Sequence, residues 1–238
     1  MSEPNSKVVM NFAVGTGWYQ RGQKRLRDSL TLHGVDCDGY SEMSKDPERS
    51  MFFTHYPKDC PSHTQIPWGF KLWSFGEAIR RGHRYALWCD AAVWAVKDLT
   101  PVFNHIGEHG HFFFTYHDFD CDQTANDNCL NHFGLKREEA AQIESIYACV
   151  MGLDLHNPRS LEFLYKWQDA MLAGCFNGDG KPGATDGSGP RYKFHRHDQV
   201  TASIIIKQLD MSVTDAGYLA QAYAEQLPET VCLTTRGM

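Results

Sequence analysis

Apolar residues in this chain gather in short runs whose spacing switches between the strand and helix periods. Lys7–Val14 (KVVMNFAV) reads as a first buried strand running into Gly15-Thr16-Gly17. A helix is predicted over Trp18–His33, with Leu26, Leu30 and His33 on one face and Gly34 as its stop. Val35–Tyr40 is predicted as a second strand, and a short one is expected around Met51–His55 within an otherwise irregular, proline-punctuated stretch. Phe70–Arg81 has helical spacing, with Leu72, Phe75 and Ile79 on one side and Gly82 at its end. The next run, Tyr85-Ala-Leu-Trp-Cys89, is a strand that stops abruptly on a carboxylate, Asp90.

Beyond it, Phe112–Tyr116 is a short aromatic strand and Ile146–Leu155 (IYACVMGLDL) a longer buried one. Asn157-Pro158 reads as helix cap and first-turn proline, followed by an apolar stripe of Phe163, Leu164, Trp167 and Met171. Residues 177–190 hold five glycines and two prolines, predicting a flexible loop inside the domain. A last helix begins near Asp198 and carries Ile204, Ile205 and Leu209. Strands alternating with helices predict an α/β fold built on a mainly parallel sheet, with some antiparallel additions.

Composition narrows this picture. A chain of 238 residues fits one sizeable α/β domain better than two, so residues 1–238 are taken as one unit. The net charge of −6 provides no general pull toward nucleic acid or anionic membrane. Local basic runs at Arg21–Arg27 and Arg191–His197 are the exceptions. The polar start, Met1–Lys7, has no apolar core of a secretory signal, and no run approaches a membrane span, so a cytoplasmic location is expected. Eight cysteines without a CxxC pair fit reduced thiols better than a zinc site.

Candidate chemistry sits at three places. Asp90 ends a central strand, where open α/β sheets bind ligands and where a carboxylate can take magnesium or manganese. Its position is equally consistent with a turn cap before Ala91. His195-Arg-His-Asp-Gln199 opens a helix directly after the glycine-rich loop. Its imidazoles and acid suit a metal shell, a general base or a hydroxyl-orienting role, or else Asp198 is simply a helix cap beside surface histidines. The third place, Asn11–Gly17 with Trp18 and Tyr19 behind it, suits a nucleobase held by backbone and stacking, though it lacks any phosphate-loop pattern.

The segment Pro67–Phe103, with the later His197-Asp198-Gln199, resembles the core of GT-A fold glycosyltransferases, including the glycogenin-like and galactosyltransferase-like groups. The resemblance spans roughly residues 7–210. It implies a single Rossmann-like domain, with helices on both sheet faces, that moves a sugar from a nucleotide-diphosphate donor, foremost a UDP-sugar, to an acceptor hydroxyl. It places the nucleotide near Ala13, Val14 and Tyr19, Lys71 near the nucleotide-sugar, and Asp90 on the ribose or a metal. Asp198 and Gln199 would serve catalysis, and Gly152 with Met151–Leu155 would line the acceptor side. Mn2+ or Mg2+ is implied as cofactor, with Asp90 and His197 as its ligands. The acceptor stays open among a glycan, a small molecule, a protein side chain and a hydroxylated DNA base.

The chain departs from the family in one respect. Ala92 stands where the second acid of the DxD motif is usual. Two other readings therefore stay open: a nucleotide-sugar-binding protein that has lost catalysis, and a metal-dependent hydrolase that also uses His117, Asp118, Asp120 and Asp122.

Overall fold

In a computed structural model, described for residues 6–15, 17–35, 37–40, 50–222 and 228–234, the alternation of side chains along the first strand sorts the chain into layers. β1 (Lys7–Phe12) is followed by α1 (Gly17–Leu32), β2 (Phe52–Phe53) and α2 (Gly69–Arg80). Next come β3 (Tyr85–Cys89), β4 (Val93–Ala95), α3 (Thr100–His109), β5 (His111–Phe112) and β6 (Thr115–Asp120). Three short helices, α4 (Cys121–Thr124), α5 (Asp127–Phe133) and α6 (Arg137–Ala140), precede β7 (Glu144–Ile146) and β8 (Val150–Asp154). Two long helices, α7 (Pro158–Leu172) and α8 (His197–Gln208), and the strands β9 (Ala220–Ala222) and β10 (Cys232–Thr234) complete the described chain.

The central sheet has the order β2-β1-β3-β8-β5. β1 is parallel to both β2 and β3, whereas β8 is antiparallel to β3 and to β5. Four of the five strands therefore point one way and β8 alone runs against them, a mainly parallel α/β sheet as expected. Val8, Met10, Ala86 and Trp88 face a core made with Phe75, Phe163 and Trp167, which α2 and α7 supply. Val9, Leu87 and Cys89 face the opposite core, against Leu26 and Leu30 of α1 and Val102 and Ile106 of α3. Helices thus cover both faces, which is why the strands are apolar on both sides rather than alternating with polar residues. A third apolar cluster, with Cys121, Leu130 and Ile143, closes the small helices over Val200 and Ile204 of α8.

Several expectations need correction. Val35–Tyr40 is not a strand: its described residues touch β1 through one isolated bridge, Val8 with Asp38, and the Tyr40 hydroxyl folds back onto the Val35 carbonyl. The run Ile146–Leu155 is two elements, since the end of β7 and the start of β8 pair with different partners and Tyr147–Cys149 form the break between them. Ile79, expected inward, is 44% exposed, while Lys71, one turn before the buried Phe75, is buried. Gly152 lies inside the sheet, where an added Cβ would meet Ile106 Cδ1 at 2.4 Å, so it does not line an open acceptor surface. Among the described residues, no helix is long and apolar enough to cross a membrane.

Candidate active site

The C-terminal ends of β1 and β3 carry the polar chemistry of the sheet. β1 ends beside Asn11, a fully buried amide whose Nδ2 donates to the Cys89 carbonyl at 2.6 Å. Gln23 of α1, also buried, donates from Nε2 to Asn11 Oδ1 at 2.9 Å and to the Phe53 carbonyl at 3.1 Å. These two amides bind the ends of β1, β2 and β3 to one helix. A buried polar network of this kind fixes geometry because leaving any member unpaired is costly. The residue it holds is the one immediately before Asp90.

Asp90 is in turn fixed from both sides. The Trp88 indole N–H donates to its Oδ1 at 2.7 Å, and Lys71 Nζ lies 3.3 Å from the same oxygen. The loop that follows is held against α1: an added Cβ on Gly22 would sit 2.0 Å from the Ala91 carbonyl oxygen, so only glycine permits this approach. Arg25 donates to the Ala92 carbonyl at 2.9 Å, with its guanidinium 4.3 Å from the Trp94 ring centroid.

Lys71 joins the strand end to the late helix. Its Nζ lies 2.9 Å from Asp198 Oδ2 and donates to the Ala148 carbonyl at 2.8 Å, and its side chain is only 2% exposed. Burial opposes the ammonium charge, but Asp198 first and Asp90 second more than offset it, holding the pKa up to about 12. For Asp90, burial raises the pKa most, Lys71 pulls it back, and the neighbouring Asp198 charge pushes it up again. Its side chain is nevertheless 31% exposed, against 5% for Asp198. Asp90 is thus the carboxylate of this trio that reaches solvent from an enclosed position, which fits a group meant to meet a ligand.

Asp198 lies in the first turn of α8, and its carbonyl accepts from the Trp167 indole at 3.2 Å. The residue before it is strained. His197 has φ 46° and stacks on Trp68, which has φ 57°, with ring centroids 4.6 Å apart. Left-handed backbone at two bulky residues in contact costs on the order of 1–3 kcal/mol each, and such strain collects where position matters for function. His63 completes this aromatic group, edge-on to Trp68 at 4.4 Å, and its Nδ1 accepts from the Trp68 N–H.

The two histidines of the 195–199 motif are committed to the backbone. His195 Nδ1 accepts from the Asn126 N–H at 3.1 Å, so its Nε2 carries the proton donated to the Cys175 carbonyl at 2.9 Å. Burial pushes its pKa down to about 4, in keeping with a neutral ring. His197 Nδ1 lies 3.0 Å from the Phe176 carbonyl, which can only accept, so Nδ1 is the protonated nitrogen. Its Nε2 abuts the glycine-rich loop, where a Cβ on Gly180 would fall 2.7 Å away.

Four of the five glycines of that loop, all but Gly183, are closely packed. An added Cβ would come within 2.6 Å of His195 at Gly178, 2.7 Å of Tyr192 at Gly187 and 2.8 Å of Arg137 at Gly189. Asp186 also gathers bonds from Asn126, Tyr192 and the Asp179 N–H. Two of the three acids proposed for a hydrolase site are paired: Arg191 bonds Asp120 at 2.7 Å and reaches Asp122 Oδ2 at 3.1 Å.

The other expected residues fall as follows. Ala13 is buried, with its N–H on the Phe53 carbonyl, Val14 is half-buried, and Tyr19 is 46% exposed against Trp18. Gln199, half-buried, borders a small cleft with Asp118, Tyr147 and Arg196. So Lys71, Asp90 and Asp198 converge, whereas His197 is turned to the loop and to Trp68. Among the described residues, no three of His, Cys, Asp and Glu are placed to hold a metal ion. The donor set therefore does not fit the expected Asp90–His197 shell. Gln23 and Ala148 are not legible in the sequence as site residues, because a buried amide or carbonyl leaves no pattern.

Another groove, of about 850 Å³, lies between α2 and α7, with Leu72, Trp73, Leu164 and Met171 among its walls. Its acid Glu77 is already paired with Arg80 and Arg81. We place the site at the strand ends because reactive groups converge there.

The same fold occurs in solved glycosyltransferases. A glycosyltransferase involved in the glycosylation of the major capsid of PBCV-1 is 10% identical, with 95% of this chain and 92% of that one covered and a TM-score of 0.52. The galactosyltransferase LgtC, solved with donor and acceptor sugar analogs, is 11% identical, with 97% and 87% covered and a TM-score of 0.50. No protein-family model matches the sequence, and no curated protein matches it. The fold is that of the GT-A-type glycosyltransferases over nearly the whole chain.

Proposed function

We propose that this chain is a glycosyltransferase that binds a nucleotide-sugar across the ends of β1 and β3 and transfers the sugar to an acceptor hydroxyl. The observation that carries this reading is the buried Lys71 ammonium between Asp90 and Asp198, at the strand ends of a fold shared with sugar-transferring enzymes. Ligands in open α/β sheets bind at this edge. The nucleotide end of the donor belongs near Ala13, Val14 and Tyr19, and Asp90, at the end of β3, meets the donor there.

In the transfer itself, the bond from the anomeric carbon to the diphosphate oxygen breaks and a bond to the acceptor oxygen forms. The nucleoside diphosphate leaves with the bonding electron pair, and the acceptor hydroxyl proton passes to Asp198 as base. Asp198 and Gln199 are the groups proposed to act on the sugar and acceptor. Lys71 pairs with Asp198 Oδ2 at 2.9 Å and so orients this carboxylate for a role as base or as electrostatic stabiliser of positive charge at the anomeric carbon.

The test is turnover with a panel of UDP-, GDP- and CMP-sugars, with water and simple glycosides as acceptors, UDP-sugars being expected to react first. Donor binding without hydrolysis or transfer under every condition would instead establish the binding-protein reading that Ala92 keeps open.

A further inference from the structure

We infer that donor binding and transfer at this site proceed without a divalent metal ion, with the Lys71 ammonium as the fixed cation between Asp90 and Asp198. This rests on the glycosyltransferase reading above and concerns how that site balances charge.

Lys71 has the surroundings of a small bound cation. Its Nζ has three oxygen neighbours from distant parts of the chain: Asp198 Oδ2 at 2.9 Å, Asp90 Oδ1 at 3.3 Å and the Ala148 carbonyl at 2.8 Å. The Trp88 ring centroid lies 5.6 Å away on a further side. An ammonium donates three hydrogen bonds and carries a compact charge, so one positive group already joins Asp90, the expected metal ligand, to Asp198. A divalent ion bound to both Asp90 and Asp198 at about 2.0–2.6 Å would have to compete with that buried charge.

Neighbouring residues offer no alternative shell. Ala92 replaces the second acid, and its carbonyl is held by Arg25, which adds a second fixed positive charge where the family has a negative one. Gly22 packs against the Ala91 carbonyl, so the loop cannot swing that oxygen inward without moving α1. His197 is bonded to the Phe176 carbonyl, stacked on Trp68 and covered by Gly180, and His195 has both nitrogens on the backbone. The positive charge at this strand end is thus built into the chain, Lys71 between the two acids and Arg25 at the Ala92 carbonyl, rather than brought in as an ion.

Two measurements on the full-length protein test this separately. The first is Mn2+ binding without any nucleotide, followed by electron paramagnetic resonance, in the wild type, Lys71→Met and Lys71→Arg. The wild type and the arginine variant should show no site that Asp90→Asn abolishes. Lys71→Met, which leaves the two carboxylates without their cation, should gain a Mn2+ site lost again in Lys71→Met/Asp90→Asn, and Mn2+ should raise its melting temperature. Mn2+ binding to the wild type that depends on Asp90, or no gain in a folded Lys71→Met, would overturn the inference. If Lys71→Met does not fold, the comparison of wild type with Asp90→Asn decides alone.

The second is calorimetry of UDP and UDP-sugars with the wild type in EDTA and in Mn2+. The inference expects affinities within about twofold of each other, and tightening by Mn2+ of about tenfold or more would contradict it. If no nucleotide binds in either condition, the glycosyltransferase reading fails, while the Mn2+ experiment still decides the cation question.

Discussion

The two walls of the cleft are built by different means. The strand-end wall, from Asn11 to Ala92, is fixed by a β ladder and two buried amides, so Asp90 inherits the rigidity of the sheet. The helix-end wall, from Cys175 to Gln199, has no ladder. It is held by imidazole-to-carbonyl bonds, close glycine contacts and two left-handed residues in a stack. Lys71 forms ion pairs with a carboxylate of each wall, Asp90 and Asp198. The contrast shows how a carboxylate can be placed firmly without regular structure, provided the surrounding backbone is saturated with bonds.

If Lys71 holds the walls together, removing it should have the largest effect on stability. Lys71→Ala leaves two carboxylates facing each other without a cation and should cost about 3–5 kcal/mol, read by chemical denaturation at neutral pH. A loss below about 1 kcal/mol would mean the walls are held independently of it.

The helix-end wall should also fail first in acid. His195 has a folded pKa of about 4, below the ordinary 6.5, so the folded state binds its proton less readily than the unfolded state. Its contribution is therefore fully present above pH 6.5 and lost as the pH falls toward 4, on the order of 3 kcal/mol over that window. The slope of stability against pH should flatten there in His195→Gln. The same slope in wild type and variant would remove His195 from the account.

Substitutions that separate the walls should be intermediate. Asn11→Ala removes the donor to the Cys89 carbonyl and one acceptor of the Gln23 amide and should cost about 1–3 kcal/mol, with weaker donor binding as the second readout. Gly180→Ala presses a methyl on His197 and should cost about 1–3 kcal/mol, unless the loop yields. Equal tolerance of both would erase the distinction between a bonded wall and a packed one. The smallest effect belongs to the exposed Lys24–Asp28 pair on α1, where Asp28→Asn should change stability by less than about 1 kcal/mol.

The strand-end wall was the more legible of the two in sequence. Period and punctuation identify β1, α1, α2, β3, α7 and α8, because each buries an apolar face and stops at a glycine, proline or acid. The run at 146–155 hid a break because Tyr147, Ala148 and Cys149 are as apolar as the strands beside them, yet their backbone supplies the Ala148 carbonyl to Lys71. Lys71 was placed near the donor by resemblance, but nothing in the helical pattern shows that it is buried, since its burial depends on acids contributed 19 and 127 residues later. The glycines at 178–189 suggested freedom by composition. Their close contacts with His195, His197, Tyr192 and Arg137 emerge only when those side chains are in place.

The central claim is that Asp90 and Asp198 face one sugar-transfer site across Lys71. Release of nucleoside diphosphate from the best UDP-sugar of the panel, measured for wild type, Asp90→Asn and Asp198→Asn with folding checked by circular dichroism, tests it most directly. The account predicts that each folded variant loses about 100-fold or more in turnover, as expected for removing a group that stabilises the reacting charge. Wild-type turnover in either folded variant would contradict it.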